Sequence, residues 1–275
     1  MVQLSPGVYW TAAVVGVFSA TVVAGTGSSH AAEPAKVLKV CTTGDYRPLT
    51  YRDPSTGNFS GIDIDMARSF ADYLDARLVF VQTSWPTLMD DITTQGKCDI
   101  AMGGISVTPQ RQQQANFTQS YLQDGKTPIT TSGNAERFQT LKQINRKDVK
   151  VIVNPGGTNA AFVKEHLPDA TVITWPDNTT IFEQIIRGRA DVMITDSIEA
   201  KYQASQNPRL VAVHPDAPFT ASEKSYMLPK GSPLTNPADT WLTDALKDGT
   251  FQHAYDRWIH TSPTATVGTL KKYGA

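Results

Sequence analysis

The sequence has few of the features that mark several common classes of protein. Its 5 histidines are scattered without the spacing of metal ligands, so no metal site is expected. Its 25 basic and 26 acidic residues nearly cancel, and nothing in the charge balance indicates a nucleic acid or a membrane surface as partner. We therefore expect a small molecule as the ligand.

The first 32 residues contain no Lys, Arg, Asp or Glu. Residues 8–25 form an apolar run typical of a secretory signal, and small residues follow it, favouring cleavage near Ala31 or Ala32. The basic segment that usually opens a signal is missing, which leaves a membrane anchor or a misassigned start as alternatives. We predict a signal peptide over 1–32, a periplasmic location and no stable membrane association after cleavage.

Cysteine is nearly absent, since only Cys41 and Cys98 occur. Cys41 lies near the end of a predicted strand and Cys98 near the start of another. If these strands are parallel neighbours, an offset of about three residues at roughly 3.3 Å each exceeds the reach of a disulfide. The sequence therefore predicts two free, buried thiols.

The spacing of apolar residues predicts alternating strands and helices in two blocks. Strands are expected at 37–43, 78–81, 99–102, 149–153, 171–173 and 192–194, and helices at 61–74, 85–94, 159–166, 181–187, 198–206, 238–246 and 251–259. Ser84 is the expected N-cap of the second helix. Such alternation is typical of parallel sheets whose faces are covered by helices.

The two blocks predict an α/β protein of two lobes, each with a parallel or mixed sheet. Two crossings, at 121–131 and 219–231, would form a hinge above a central cleft. Lobe 1 is then 37–125 with 222–262, lobe 2 is 126–221, and 263–275 is a tail without an assigned role. Ligands of open parallel sheets bind at the carboxyl ends of strands, so the loops after Thr43, Met102, Val153 and Ile194 should line the cleft.

The motifs in these loops resemble those of the type II periplasmic solute-binding proteins for amino acids (family 3). They are "TTGDYRPLTY", "GIDIDMA", "DIAMGGISVTPQRQQQANF" and "ADVMITD". More narrowly, "SWPTLM", "DGKTPIT", "VNPGGTN" and "TDSIEA" occur in the order seen in the periplasmic cyclohexadienyl dehydratases, and the resemblance spans about residues 37–260. It implies a hydro-lyase that converts prephenate to phenylpyruvate or arogenate to phenylalanine without a cofactor.

Candidate binding residues follow the strands. Arg111 has a planar guanidinium, which can bind a carboxylate with two parallel hydrogen bonds. Ser106 is expected to donate a further hydrogen bond to the ligand. The turn "NPGGTN" suits an anion through its backbone N–H groups, and the resemblance places Asn154, Thr158 and Asn159 towards the substrate. Asn159 as a helix N-cap is the structural alternative. No phosphate-binding loop or dinucleotide motif is present, so no nucleotide is expected.

The remaining binding candidates come chiefly from the resemblance. It implies that Tyr46 flanks the substrate ring and that Lys126 lies in the cleft, where an ammonium group would hold or polarise an anion. Trp85 is either a second aromatic wall or a core residue at the start of a helix.

The stretch "TDSIE" at 195–199 allows two interpretations. Asp196 and Glu199 fit a capping box, with Asp196 as N-cap and Glu199 bonded back to it. The resemblance instead makes Glu199 the general acid, whereas Asp196 caps the helix or orients the site. Hydroxide is a poor leaving group, so dehydration needs such an acid to stay protonated near neutral pH.

A transport receptor that binds an amino acid and catalyses nothing is the main alternative function. It shares the fold, the signal and Arg111, whereas Lys126 and Glu199 favour the enzyme. A sensor domain of a membrane receptor is less favoured, because no second apolar segment of about 20 residues follows the first. The sequence leaves open a homo-oligomer and the preference between prephenate and arogenate.

Overall fold

The computed structural model describes residues 1–3, 7–8, 11–12 and 36–259. Most of the predicted leader, including its cleavage region, and the tail 263–275 lie outside these ranges. Within them, no helix combines the length and the apolar character needed to cross a membrane.

Short strands and helices alternate along the chain. The strands are β1 (Val37–Thr42), β2 (Asp45–Tyr46), β3 (Thr50–Arg52), β4 (Phe59–Ser60), β5 (Arg77–Gln82), β6 (Ile100–Ala101), β7 (Ala115–Phe117), β8 (Leu122–Asp124), β9 (Lys126–Thr131), β10 (Lys150–Val153), β11 (Thr171–Thr174), β12 (Val192–Asp196), β13 (Leu210–Ala212), β14 (Ser222–Lys224) and β15 (Met227–Pro229). The helices are α1 (Ile62–Tyr73), α2 (Leu88–Thr93), α3 (Pro109–Gln114), α4 (Leu141–Ile144), α5 (Gly157–His166), α6 (Ile181–Ile186), α7 (Ser197–Gln206), α8 (Thr235–Lys247) and α9 (Thr250–Ile259).

The first sheet has the order β5-β1-β6-β15-β7. Strand β1 runs parallel to β5 and β6, whereas β15 is antiparallel to β6 and β7. Strand β15 comes from late in the chain, so the polypeptide returns to complete this sheet. Helices α1, α8 and α9 pack together around Phe70 and Trp241, whose rings lie 4.8 Å apart.

The second sheet has the order β11-β10-β12-β9-β13. Strand β10 is parallel to β11 and β12, and β9 is antiparallel to β12 and β13. Val151, Val192 and Ile194 lie in the buried cluster on one side of the sheet, and Ile129 and Met193 lie in a separate cluster with α6. Apolar residues on both faces explain why β12 appears in the sequence as a continuous apolar run.

The two sheets are joined by two neighbouring chain crossings. Strands β8 and β14 pair antiparallel, with Leu122 opposite Lys224 and Asp124 opposite Ser222. The two-lobed α/β fold class predicted from the sequence is therefore confirmed, and we call the parts carrying the first and second sheets lobe 1 and lobe 2. The residue boundaries assigned to the lobes stay a prediction.

The predicted free thiols are wrong, because Cys41 and Cys98 form a disulfide with a Cα–Cα distance of 5.6 Å. The prediction assumed that the strand after Cys98 is extended from that residue onward. Strand β6 begins only at Ile100, and the chain bends at Asp99 immediately before it. The bend brings Cys98 back beside β1, within the 4.4–6.8 Å typical of bridged cysteines.

The predicted start of the second helix is also wrong. Helix α2 begins at Leu88, and a hydrogen-bonded turn occupies the preceding residues, with the N–H groups of Thr87 and Leu88 both donating to the carbonyl of Ser84. Ser84 therefore accepts through its backbone and its side chain does not cap the helix. The turn separates Trp85 from the helix and leaves it at the edge of the cleft.

Candidate active site

A cavity lies between the lobes at the carboxyl ends of their strands. Its walls contain eight residues predicted from the sequence, namely Tyr46, Trp85, Ser106, Arg111, Asn154, Thr158, Asn159 and Asp196, together with Gly104, Gly157 and Asn178. The strand-end argument therefore located the cavity correctly. Lys126 and Glu199 do not line it and lie behind its wall.

Arg111 is placed by the short helix α3. The side chain of Thr108 accepts a hydrogen bond from the backbone N–H of Arg111 at 3.2 Å, and Pro109 occupies the first turn, where its missing N–H costs nothing. The guanidinium donates through Nη1 to the carbonyl of Ser106 at 2.9 Å and is 9% exposed. One bond thus orients the group, and other N–H donors of the guanidinium remain for an anion at the cavity.

The glycine-rich turn brings lobe 2 against lobe 1. Gly156, the N-cap of α5, has φ +72°, and a Cβ there would lie 2.8 Å from the backbone N of Pro86. Only glycine fits both this backbone conformation and this close approach. Asn159 is the third residue of the helix, so its predicted N-cap role is wrong, and its side chain is free to form part of the cavity wall.

Asp196 is the centre of the polar network below the cavity. Its Oδ1 accepts from Lys126 Nζ at 2.7 Å, and its Oδ2 accepts from Lys224 Nζ at 2.5 Å and from the Tyr46 hydroxyl at 2.6 Å. Lys126 also donates to Thr158 Oγ1 at 2.8 Å and to Asn159 Oδ1, so its three N–H groups all have partners. Lys224 donates a further bond to Ser106 Oγ at 2.8 Å.

The two lysines determine the charge of Asp196. Burial alone would raise the pKa of this carboxyl, but the ammonium groups of Lys126 and Lys224 outweigh that effect and hold the pKa below its ordinary value. Burial in turn lowers the pKa of Lys126, and the charge of Asp196 opposes that change. Asp196 is therefore an ionised group that is already occupied by cations of the protein.

Glu199 has the opposite electrostatic environment. It is 0% exposed, and burial raises its pKa from 4.5 to about 8, a shift that the Thr195 hydrogen bond opposes and the charge of Asp196 reinforces. The hydroxyl of Thr195 donates to Oε2, and Asn178 Nδ2 lies 3.4 Å from Oε1. At neutral pH the Glu199 carboxyl thus holds its proton. It lies behind the cavity wall, in contact with the wall residue Asn178.

The capping-box interpretation of "TDSIE" is wrong. Asp196 is the N-cap of α7 by position, but its side chain makes no capping hydrogen bond and turns instead to Lys126 and Lys224. Glu199 accepts from Thr195 and Asn178 rather than from the backbone of Asp196. The predicted capping role of Asp196 is therefore also wrong, and both carboxyls belong to the network beside the cavity.

Two aromatic rings form the wall on the side of lobe 1. Tyr46 and Trp85 meet edge to face, with their ring centroids 5.7 Å apart, and Trp85 Nε1 donates to Asp45 Oδ1 at 3.1 Å. The backbone of Gly104 lies against Tyr46, since a Cβ there would be 2.3 Å from Cε1 of the ring. The polar atom of each ring thus has a partner within the protein, and both rings line the cavity.

Two candidate functional residues, Lys224 and Asn178, are absent from the residues predicted from the sequence. Lys224 lies in the second predicted crossing, as Lys126 lies in the first, and that position is the sequence signal that could have found it. Asn178 lies in the loop between β11 and α6, at the carboxyl end of a strand. That loop was omitted from the predicted cleft although the strand-end rule includes it.

The described ranges contain no group of three or more His, Cys, Asp or Glu side chains arranged to hold a metal ion. The arrangement that is present combines a guanidinium, two buried ammonium groups and a protonated carboxyl. A guanidinium is suited to binding an acidic molecule, and a protonated carboxyl is suited to donating a proton.

Comparisons with known proteins agree with this description. The chain belongs to the bacterial extracellular solute-binding proteins, family 3, whose family model matches residues 38–261. A Pseudomonas aeruginosa protein named cyclohexadienyl dehydratase is 48% identical over 230 residues, which are 83% of this chain and 85% of that protein. The resemblance inferred from the motifs is thereby confirmed.

Two solved structures are also similar to this chain. One is an ancestral amino acid-binding protein described as a precursor of cyclohexadienyl dehydratase, with a TM-score of 0.75 and 35% identity, covering 81% of this chain and 95% of that one. The other is a variant of an ancestral cyclohexadienyl dehydratase, with a TM-score of 0.50 and 48% identity, covering 82% and 92%. The fold is thus shared by binding proteins and by enzymes.

Proposed function

We propose that this protein is a cyclohexadienyl dehydratase, a carbon–oxygen lyase that converts prephenate to phenylpyruvate, or arogenate to phenylalanine, with loss of carbon dioxide and water. The observation that carries the proposal is the contrast between two carboxyls three positions apart. Asp196 is ionised and bound by two lysines, whereas Glu199 is buried and keeps its proton to about pH 8. The 48% identity to a named cyclohexadienyl dehydratase supports the same activity.

The chemistry requires an acid of this kind. Prephenate carries a hydroxyl and a carboxylate on its cyclohexadiene ring, and a second carboxylate on its side chain. As the ring carboxylate leaves as carbon dioxide, its bonding electrons enter the ring and expel the hydroxyl. Glu199 would protonate the departing oxygen, so that water leaves instead of hydroxide, at a gain of roughly 10²–10⁴-fold in rate.

Arg111 and the N-terminus of α5 would anchor the side-chain carboxylate. The helix N-terminus presents free N–H groups and the positive end of its dipole, and Arg111 supplies the bidentate donor. The ring carboxylate is then left without a strong clamp, which decarboxylation requires. Lys126 would act from behind the wall, by holding Thr158, Asn159 and Asp196 in place and adding positive charge for an anionic substrate.

The proposal extends to where the protein is located and what it binds. The family is one of extracellular proteins by name, and we place this chain in the periplasm after cleavage near Ala31 or Ala32. The disulfide between Cys41 and Cys98 supports an oxidising compartment. A small acid is the proposed partner.

The alternative is a receptor that binds an amino acid without changing it. The fold favours it as much as the enzyme, because an amino acid-binding protein is among the similar structures. The occupancy of Asp196 favours the enzyme, since a carboxylate that already accepts from Lys126, Lys224 and Tyr46 has little capacity left for the ammonium group of an amino acid.

A direct test is to incubate the purified protein with prephenate and to follow phenylpyruvate. We expect product at a rate that is proportional to protein concentration and well above the spontaneous reaction. A parallel titration with L-amino acids tests the alternative. Binding of an amino acid with no acceleration of phenylpyruvate formation would establish the receptor instead.

Replacing Arg111 by lysine should weaken substrate binding by about 10- to 100-fold. Lysine keeps the positive charge but loses the planar pair of donors, and a charge-assisted hydrogen bond is worth roughly 1.5–3 kcal/mol. The measurement is the Michaelis constant for prephenate together with the Kd for phenylpyruvate. Arg137→Lys, an exposed arginine outside the cavity, is the control. An unchanged Michaelis constant in Arg111→Lys would remove this residue from the site.

A further inference from the structure

Asn178 is held in place by a tightly bonded loop. Asp177 accepts hydrogen bonds at its Oδ1 from the backbone N–H of Thr179 at 2.9 Å and at its Oδ2 from the hydroxyl of Thr180 at 3.0 Å. Trp175 Nε1 donates to the same hydroxyl at 3.0 Å. Asn178 itself is 3% exposed and is part of the cavity wall. Its side chain therefore has one defined position.

A main-chain carbonyl decides which way the amide of Asn178 faces. Its Nδ2 donates to the carbonyl of Asp45 in lobe 1 at 2.8 Å. A carbonyl can only accept, so the nitrogen of the amide must face Asp45. The same nitrogen lies 3.4 Å from Glu199 Oε1, and Asn178 is thus in contact with the proposed acid and with both lobes.

The oxygen of this amide lacks a partner. Among the residues that the structure describes, Asn178 Oδ1 is buried and accepts no hydrogen bond. A buried acceptor without a donor costs about 1–3 kcal/mol. Because Asn178 lines the cavity, a donor on the ligand can satisfy it.

Prephenate offers one such donor. Its two carboxylates and its keto oxygen only accept hydrogen bonds, so the ring hydroxyl is its single O–H donor. Building on the proposed dehydratase function, we infer that Asn178 Oδ1 accepts a hydrogen bond from this hydroxyl and holds the leaving oxygen beside Glu199. Asn178 is then a substrate-binding residue that selects for a ring with a hydroxyl.

Asn154 is the competing acceptor, because this residue also lines the cavity and its buried Oδ1 is without a partner among the described residues. The contact with Glu199 distinguishes the two amides. The oxygen that receives the proton of the acid must lie next to that acid, and Asn178 is the cavity residue whose side chain contacts the Glu199 carboxyl. The ring hydroxyl therefore belongs at Asn178.

The hydrogen bonds of Glu199 fit this arrangement. Its Oε2 already accepts from Thr195, whereas the contact of Oε1 with Asn178 is long at 3.4 Å. Because the bond to Oε1 is the weaker of the two, the acidic hydrogen is assigned to Oε1, on the side of Asn178. In the reaction this hydrogen passes to the hydroxyl oxygen, and the C–O bond breaks with its electrons on that oxygen. The original hydroxyl hydrogen keeps its hydrogen bond to Asn178 Oδ1 until water leaves.

The test compares a ligand that has the hydroxyl with one that lacks it. Phenylpyruvate, the product, has no ring hydroxyl, so loss of the acceptor should not affect its binding directly. In Asn178→Ala we expect kcat/KM for prephenate to fall about 10- to 100-fold, and at least tenfold more than the affinity for phenylpyruvate falls. Asn178→Ser, which keeps a polar group in the loop, should show the same imbalance to a smaller degree.

Asn154→Ala is the matched control, because it removes the other unpartnered cavity amide. It should lower kcat/KM for prephenate and the affinity for phenylpyruvate to similar degrees. Unchanged turnover in Asn178→Ala, or parallel losses for substrate and product in both Asn178 variants, would overturn the inference, as would the imbalance appearing in Asn154→Ala instead. Absence of turnover in the unaltered protein is a separate result, which refutes the dehydratase function itself.

Discussion

Replacing Glu199 by glutamine should lower the turnover of prephenate by at least about 10²-fold. Glutamine keeps the shape of the side chain and its hydrogen bonds but has no ionisable proton to give. Binding of phenylpyruvate should be nearly unchanged, because Glu199 does not line the cavity. The measurements are kcat on prephenate and the Kd of the product. Glu183→Gln, at a half-buried glutamate of α6 that is paired with Arg187 outside the cavity, is the control and should keep normal turnover.

The pH dependence gives this experiment a second readout. The acid is active when protonated, so the turnover of the unaltered protein should fall as the pH rises through about 8. Between the ordinary pKa and the raised one, the folded state binds more protons than the unfolded state, and stability therefore declines as pH rises. Between the ordinary pKa and pH 7, this effect lowers the free energy of unfolding by roughly 3 kcal/mol. The free energy of unfolding of Glu199→Gln should not show this decrease. Near-normal turnover in this variant would refute the catalytic role.

Replacing Asp196 by asparagine should destabilise the protein by about 3–5 kcal/mol at pH 7. The substitution removes the charge that compensates Lys126 and Lys224, which are 5% and 0% exposed, and isolated buried charges are costly. Asp124 Oδ2 is 4.0 Å from Lys224 and does not contact it closely enough to replace Asp196. The free energy of unfolding from urea titration is the measurement.

The stability of Asp196→Asn should gain a contribution that rises with pH. Burial lowers the pKa of Lys126 and the charge of Asp196 opposes that change, so without the carboxylate the unfolded state binds more protons at Lys126 and this contribution to stability rises with pH. Part of the loss should therefore be recovered at pH 9. Asp216→Asn is the control, since its ion pair with Lys201 is exposed and worth at most about 1 kcal/mol. A loss below about 1 kcal/mol in Asp196→Asn would contradict the assigned network.

The fold could be predicted because it depends on local patterns, and most of the cavity wall could be predicted because its motifs resemble those of a known family. Apolar spacing located the strands and helices, and the strand-end rule placed the loops that carry Arg111 and Asn159. The disulfide was mispredicted because a single bend at Asp99 changed the geometry assumed for an extended strand. Local sequence does not report such a bend.

The roles of Asp196 and Asn178 depend on residues far away in the chain. "TDSIE" is a good local match to a capping box, but the lysine at 224 competes for the Asp196 carboxylate and outweighs a helix cap. The amide of Asn178 is oriented by the carbonyl of Asp45, which is 133 residues earlier in the chain. Contacts of this range become visible only when both lobes are folded.

The contacts across the cleft have a consequence for how the two lobes close. Tyr46 bonds to Asp196, Asn178 bonds to Asp45, and Lys224 joins Ser106 to Asp196, all through groups of the chain itself. Part of the free energy of closing therefore does not depend on a bound ligand. In a transport system, the permease recognises the closed receptor as ligand-bound. A receptor that closes without ligand would therefore activate the permease without delivering anything. For a catalyst the same bias is an advantage, because the reacting groups are held in place before the substrate binds.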